Sequence, residues 1–102
     1  MTRIEFFGDE NSLTLTAKGH CDYKKGDDIV CSAASALICT LANLVRHSGV
    51  KSHIELKDGD SRIICYPDEK MRGKLEDIFS YTLFGLTLIE RRYPANLKVK
   101  LL

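Results

Sequence analysis

His20 and Cys31 are the two side chains in this sequence best suited to covalent chemistry together, a base and a nucleophile. The stretch from Gly19 to Ser35 reads GHCDYKKGDDIVCSAAS. His20 follows a strand-like run, a short polar loop intervenes, and Cys31 falls at about the third position of a helix. Asp27 or Asp28 can cap that helix by accepting first-turn N–H bonds. Free amides and the positive end of the helix dipole stabilise an anion there. Thiolates so placed have pKa values about one to several units below the free value of ~8.5. A cysteine nucleophile needs that ionisation or a neighbouring base, and His20 is the candidate base. First-turn amides could also help hold an oxyanion.

Other residues of the stretch can be read in more than one way. Asp27 and Asp28 oppose thiolate formation, because nearby negative charge raises a thiol pKa. As the cap, Asp28 would have its charge partly engaged by N–H bonds; alternatively it could orient His20. Ser35, one turn after Cys31, is either a polar contact in the site or a hydroxyl bonded to a carbonyl one turn back. Gly19 closes the strand and Gly26 is a hinge candidate in the loop. Cys31 itself could simply be a small buried hydrophobe. Cys21 is either an exposed bystander or a reversible disulfide partner of Cys31. A metal site built from His20, Cys21 and Cys31 lacks a fourth ligand. His47 and His53 read as surface residues. Lys24 and Lys25 read as solvated loop charges, with an acidic partner as the alternative.

These groups need a frame, and the hydrophobic periodicity supplies one. Arg3 to Phe7 and Leu13 to Lys18 alternate around the turn cluster Gly8–Ser12, which predicts a hairpin with one buried face. Val30, Ala34, Leu37, Leu41 and Leu44 recur at helical spacing, widened by Ile29, Ala33, Ile38 and Val45, and Ser48-Gly49 stops that helix. Lys51 to Lys57 and Arg62 to Tyr66 flank Asp58-Gly59-Asp60, a hairpin signal. Asp68 caps a second helix that runs to Arg92 before Pro94, with Leu75, Phe79, Leu86, Ile89 and Tyr93 in period. Gly85 within it costs about 1 kcal/mol relative to alanine, which suggests close packing. Leu97, Val99 and Leu101 alternate with lysines in a short final strand. The order ββαββαβ predicts one α+β domain over residues 1–102. Its expected architecture is a two-layer sandwich, with an antiparallel or mixed sheet of four to five strands and two helices packed on it. A further apolar set on the second helix (Tyr81, Leu83, Phe84, Leu88) wants a partner, either a deeper core or a second copy of the chain.

Composition narrows the function classes. The chain has 102 residues, 44% hydrophobic and 28% charged, with a net charge of +1. That is enough for a core without disulfide support. The balanced charge gives no field favouring nucleic acid or a membrane surface. Among the four cysteines, Cys21, Cys31, Cys39 and Cys65, there is no CxxC pair. Cys39 and Cys65 fall within apolar helix and strand patterns. MTRIEFFGDE lacks an apolar signal-peptide core, and no run approaches the ~18 apolar residues of a membrane span. A soluble protein of the reducing cytoplasm, with no cofactor and no direct nucleic-acid or membrane partner, is the expectation.

Gly19-His20, a short Gly-containing loop, then Asp28-Ile29-Val30-Cys31 and Ser32-Ala33-Ala34-Ser35-Ala36-Leu37 resemble the Prp family, the ribosomal-processing cysteine proteases. The resemblance extends to the starting hairpin, to Phe84-Gly85-Leu86 and to Tyr93-Pro94. It implies a small α+β homodimer with Cys31 as nucleophile, His20 as its partner, Asp28 as a supporting site residue and Ser35 as a further one. It implies removal of a short N-terminal extension from a large-subunit ribosomal protein of the L-twenty-seven type during ribosome assembly, and a mobile lid between His20 and Cys31. Relatives that cut phage capsid or scaffold proteins mark an alternative substrate. Two departures stand out: Cys21 replaces the small residue usual after the histidine, and CSAAS stands where CAAVS-like runs are commoner. A noncatalytic ribosome- or RNA-associated module and a thiol redox or metal-binding protein are the rival classes. The first predicts a continuous basic face and the second a Cys21–Cys31 bond or bound zinc.

Overall fold

Strict alternation along Leu13–Lys18 sends Leu13, Leu15 and Ala17 to one face of a strand, and all three are buried. The same period buries Ile4 in the first strand and Ile63 and Cys65 in the fourth. The computed structural model describes residues 1–102. Its elements are β1 (Thr2–Gly8), β2 (Leu13–Lys18), α1 (Ile29–Ser48), β3 (Lys51–Lys57), β4 (Asp60–Tyr66), α2 (Glu69–Arg92) and β5 (Leu97–Leu101). The expected ββαββαβ order is therefore found, and the sheet has five strands in the order β3-β4-β2-β1-β5. All pairings are antiparallel except β1–β5, which is parallel, so the sheet is mixed. β2 lies at its centre. The β2–β4 register ends on Lys18 opposite Asp60, which brings the C-terminal end of β2 to the β3–β4 turn.

Both helices start on an aspartate and their ends are chemically marked. Asp28 caps α1 and Asp68 caps α2, each accepting the amide of the residue three positions on. Gly49 takes φ 78° at the end of α1, the left-handed conformation that stops a helix, and returns its N–H to the Arg46 carbonyl. The helices pack on the sheet and on each other around Leu41, Val45, Leu75, Phe79 and Leu86. Phe79 meets Phe6 of β1 with ring centroids 5.4 Å apart.

The buried face of α1 is narrower than the one its spacing suggested. Val30, Ala34, Ile38, Leu41 and Val45 are buried as expected and Ala42 joins them, while Ile29, Ala33 and Leu44 are exposed and Leu37 is half-buried. The helix is apolar on several sides, so spacing alone could not choose among them. It is also long and apolar enough, by length and composition, to cross a membrane, contrary to the expectation that no such run exists. Six of its residues are buried in the core of this fold. Cys39, expected to pack as a small hydrophobe, is exposed, whereas Cys65 is buried.

Gly85 of α2 faces Leu37 of α1: a β-carbon there would lie 2.9 Å from Leu37 Cδ1. The helix–helix approach therefore accounts for a glycine in mid-helix. In Gly85→Ala, relief of the helix penalty of about 1 kcal/mol offsets the shift demanded of a flexible leucine, leaving stability near native. Gly85→Leu overpacks the contact and costs about 1–3 kcal/mol, read as a lower urea midpoint with an unchanged slope.

Candidate active site

Cys31 sits in the first turn of α1 because Asp28 starts the helix there. The Asp28 side chain accepts the Cys31 amide at 2.9 Å, and its other oxygen accepts the amides of Tyr23 at 3.0 Å and Lys24 at 3.3 Å. One carboxylate thus caps the helix and folds the preceding loop back onto it. These N–H bonds, with Cys31's amide contributing most, hold the Asp28 carboxyl below the usual carboxylate range. Because the carboxylate is engaged by three amides, its charge faces backbone donors as well as the nearby thiol. The Cys31 amide is occupied by this cap, and the Ser32 amide bonds the Asp28 carbonyl at 2.9 Å. Neither is free to receive an oxyanion in this conformation, so any such role falls to other donors. Asp28 does not bond His20.

His20 is delivered by the end of β2. Gly19 turns the chain at φ 91°, and its N–H bonds the Gly59 carbonyl of the β3–β4 turn at 2.9 Å. A β-carbon at Gly19 would collide with the Met1 carbonyl, so glycine is required here on two counts. His20 itself is exposed, with Nδ1 3.7 Å from Asp58 Oδ1.

Cys31 is half-buried, and it lines with His20 the same small cleft of about 110 Å³. Ser35, Gly19, Cys21, Thr2 and the Lys57–Ser61 segment are among its other walls. A second, shallower depression of about 560 Å³ also has both His20 and Cys31 in its lining, together with Cys21 to Lys25 and Asp28. The structure thus gathers His20, Cys31, Gly19 and Ser35 around one cleft and Asp28 around the adjoining one. Gly26 stands apart, at φ 90° in the loop with open space where a side chain would be. The imidazole and the sulfur make no hydrogen bond to each other; the imidazole faces the β3–β4 turn.

Residues at the start of the loop make specific contacts with the segment after α2 and with β1. Tyr23 packs edge-on against Tyr93 at 5.2 Å, and Asn96 Nδ2 donates to the Cys21 carbonyl at 2.9 Å. Cys21 is buried, not an exposed bystander, and its sulfur lies 3.3 Å from the Thr2 hydroxyl. Burial pushes the Cys21 thiol up, and the nearby Cys31 and Asp28 act in the same direction. All four cysteines are free thiols, and no three His, Cys, Asp or Glu side chains converge on a metal-sized site. Asp58 and Gly59 were read from the sequence only as a turn, and Thr2 was not singled out. Their link to the site depends on the β2–β4 register and on the approach of the N-terminal strand, neither of which a linear motif displays.

The family model for cysteine protease Prp matches residues 1–98. Among solved structures, an essential ribosomal processing protease Prp from S. aureus with a covalently linked product peptide superposes with a TM-score of 0.85 at 24% identity, over 100% of both chains. An essential ribosomal processing protease Prp from S. aureus in complex with a substrate peptide gives 0.76 at 22% identity, again over 100% of both. SMU.848 from Streptococcus mutans gives 0.74 at 24% identity, over 100% of this chain and 94% of the other. At these identities the likeness is one of fold. Among curated proteins, none matches the chain.

The capping carboxylate makes a pH-dependent prediction. Its folded-state value lies below the unfolded one, so Asp28 contributes stability above the ordinary aspartate pKa of about 3.9, and that contribution is lost as pH falls through the folded value. Asp28→Ala should melt below the native protein at neutral pH, and the gap should narrow as pH falls below the ordinary aspartate pKa of about 3.9, followed by thermal denaturation across a pH series.

Proposed function

The chain belongs to the cysteine protease Prp family, and from that premise we propose that Cys31 is the nucleophile and His20 its proton-transfer partner. The observation that carries this is the half-buried Cys31 in the first turn of α1, sharing a cleft with His20. The protein is a cysteine protease. In the proposed reaction His20 accepts the Cys31 proton as the sulfur attacks the scissile carbonyl. The tetrahedral adduct collapses with proton donation from His20 to the leaving amine. Water, deprotonated by the same imidazole, then attacks the thioester, and the carboxylic acid and free thiol are released. Ser35 supplies a hydroxyl to the cleft wall, and Asp28 fixes the register of the sulfur on the helix.

The substrate we propose is the precursor of a large-subunit ribosomal protein of the L-twenty-seven type. Its short N-terminal extension would be cut in the cytoplasm during ribosome assembly. Support comes from the family and from the fold shared with S. aureus proteins described as ribosomal processing proteases. The open depression beside Cys31 suits a peptide laid across the surface. A homodimer is part of the same reading. Tyr81, Phe84 and Leu88 of α2 are 75%, 67% and 48% exposed, and Leu101 of β5 is 68% exposed. Tyr81, Phe84 and Leu88 follow a helical spacing, and Phe84 lines a shallow groove with Leu83, Val99 and Leu101.

Incubation of the purified protein with the extended ribosomal precursor, followed by mass spectrometry, should yield one cut that a thiol alkylator blocks. Cys31→Ala should fold normally and cleave nothing, and His20→Ala should lose nearly all activity; full cleavage by Cys31→Ala would remove the assignment. Sedimentation should give a dimer that Phe84→Lys converts to a folded monomer.

A further inference from the structure

The β3–β4 turn meets His20 at two places and the residue before it at a third. The Gly59 carbonyl receives the Gly19 amide at 2.9 Å, which fixes the backbone immediately before the histidine. The imidazole occupies the space a side chain at 59 would need: a β-carbon there would lie 2.7 Å from His20 Nε2 and 3.0 Å from Cε1. Asp58 Oδ1 stands 3.7 Å from His20 Nδ1. Asp58, Gly59 and His20 all line the cleft that also holds Cys31. Gly59 adopts φ 73°, which suits the tight turn but not glycine exclusively, since asparagine also occupies that region. The turn alone would thus accept asparagine as well as glycine, whereas the ring leaves no room for a β-carbon.

We propose that Asp58 and Gly59 are positioning residues, the glycine forming a side-chain-free seat and the carboxylate a tether that together hold the His20 imidazole at the lip of the cleft it shares with Cys31. The proposal rests on the reading of His20 as the proton-transfer partner. A base oriented by a third group is the general logic of such sites. The pair is strongly solvated, with side chains 57% and 95% exposed, so it adds little to stability and its effect is on where the ring points.

Gly59→Asn and Asp58→Asn test this, with precursor cleavage and long-range proton–nitrogen NMR of the imidazoles as readouts. The His20 signals are assigned by their absence in His20→Ala. Gly59→Asn keeps a residue that tolerates positive φ but places a β-carbon under the ring. It should melt close to the native protein, lower kcat about 10- to 100-fold with KM little changed, and displace the His20 ring resonances while leaving those of His47 and His53 in place. Asp58→Asn should lower kcat about two- to fivefold, with most of the loss recovered in Asp58→Glu. Unmoved His20 resonances in both variants, or a native kcat in Gly59→Asn, would overturn the role of the turn. His20→Ala separates the two levels. Native cleavage there overturns the proton-transfer reading itself, whereas its loss alongside native Gly59→Asn overturns only the seat and tether.

Discussion

A single carboxylate organises the chemistry of this protein. Asp28 accepts three backbone amides, two from the loop before it and one from the helix after it. Helix starts leave amides without intrahelical partners, and an aspartate cap answers one of them. Here the same side chain also closes the loop, so the position of Cys31 and the path of residues 23–28 are set together. The helix then carries Cys31 on a rigid support, and Val30 and Ala34, on the same element, anchor it in the core.

The opposite wall of the cleft is made by sheet register. β2 pairs with β4 down to Lys18 opposite Asp60, and the next amide, that of Gly19, bonds the turn that joins β3 to β4. A one-residue slip would turn every side chain of β2 to the other face. Leu13, Leu15 and Ala17 forbid such a slip because they fill the core. The hydrophobic pattern of a central strand therefore determines where a solvated histidine emerges. Core packing and site geometry share the same residues.

Much of this was legible in the linear chain. An aspartate cap at 27 or 28, the cap at Asp68 and the stop at Gly49 follow from local chemistry that operates wherever the segment lies, and the fold selects Asp28 of the first pair. The seven elements follow from the periods of two and 3.6. What was not legible depends on tertiary choice. The face of α1 was misjudged at Ile29, Ala33 and Leu44 because a helix apolar on several sides has no single stripe for spacing to reveal. Cys21 follows the loop-marking histidine and looks exposed, yet it is buried beside Thr2, a contact made by a strand far away in sequence. Asp58-Gly59 reads as a turn and is one, but its second role beside His20 exists only after β4 has paired with β2.

Cys31 and His20 are held to different degrees, and this difference bears on how they meet. The sulfur is borne by a capped helix whose first turn is tied to the core, so moving it means breaking the Asp28 network. The imidazole is 57% exposed, free of any hydrogen bond, and seated against a backbone surface beside a solvated carboxylate. Rotating a solvated side chain disturbs far less than shifting a capped helix, whose end holds several hydrogen bonds at once. Catalytic contacts in ligand-free enzymes are commonly longer than in their complexes. The cheaper movement in this site is therefore the histidine's. A substrate carbonyl arriving over the fixed sulfur would meet a base that adjusts to it, and the β3–β4 turn sets the range over which it does so.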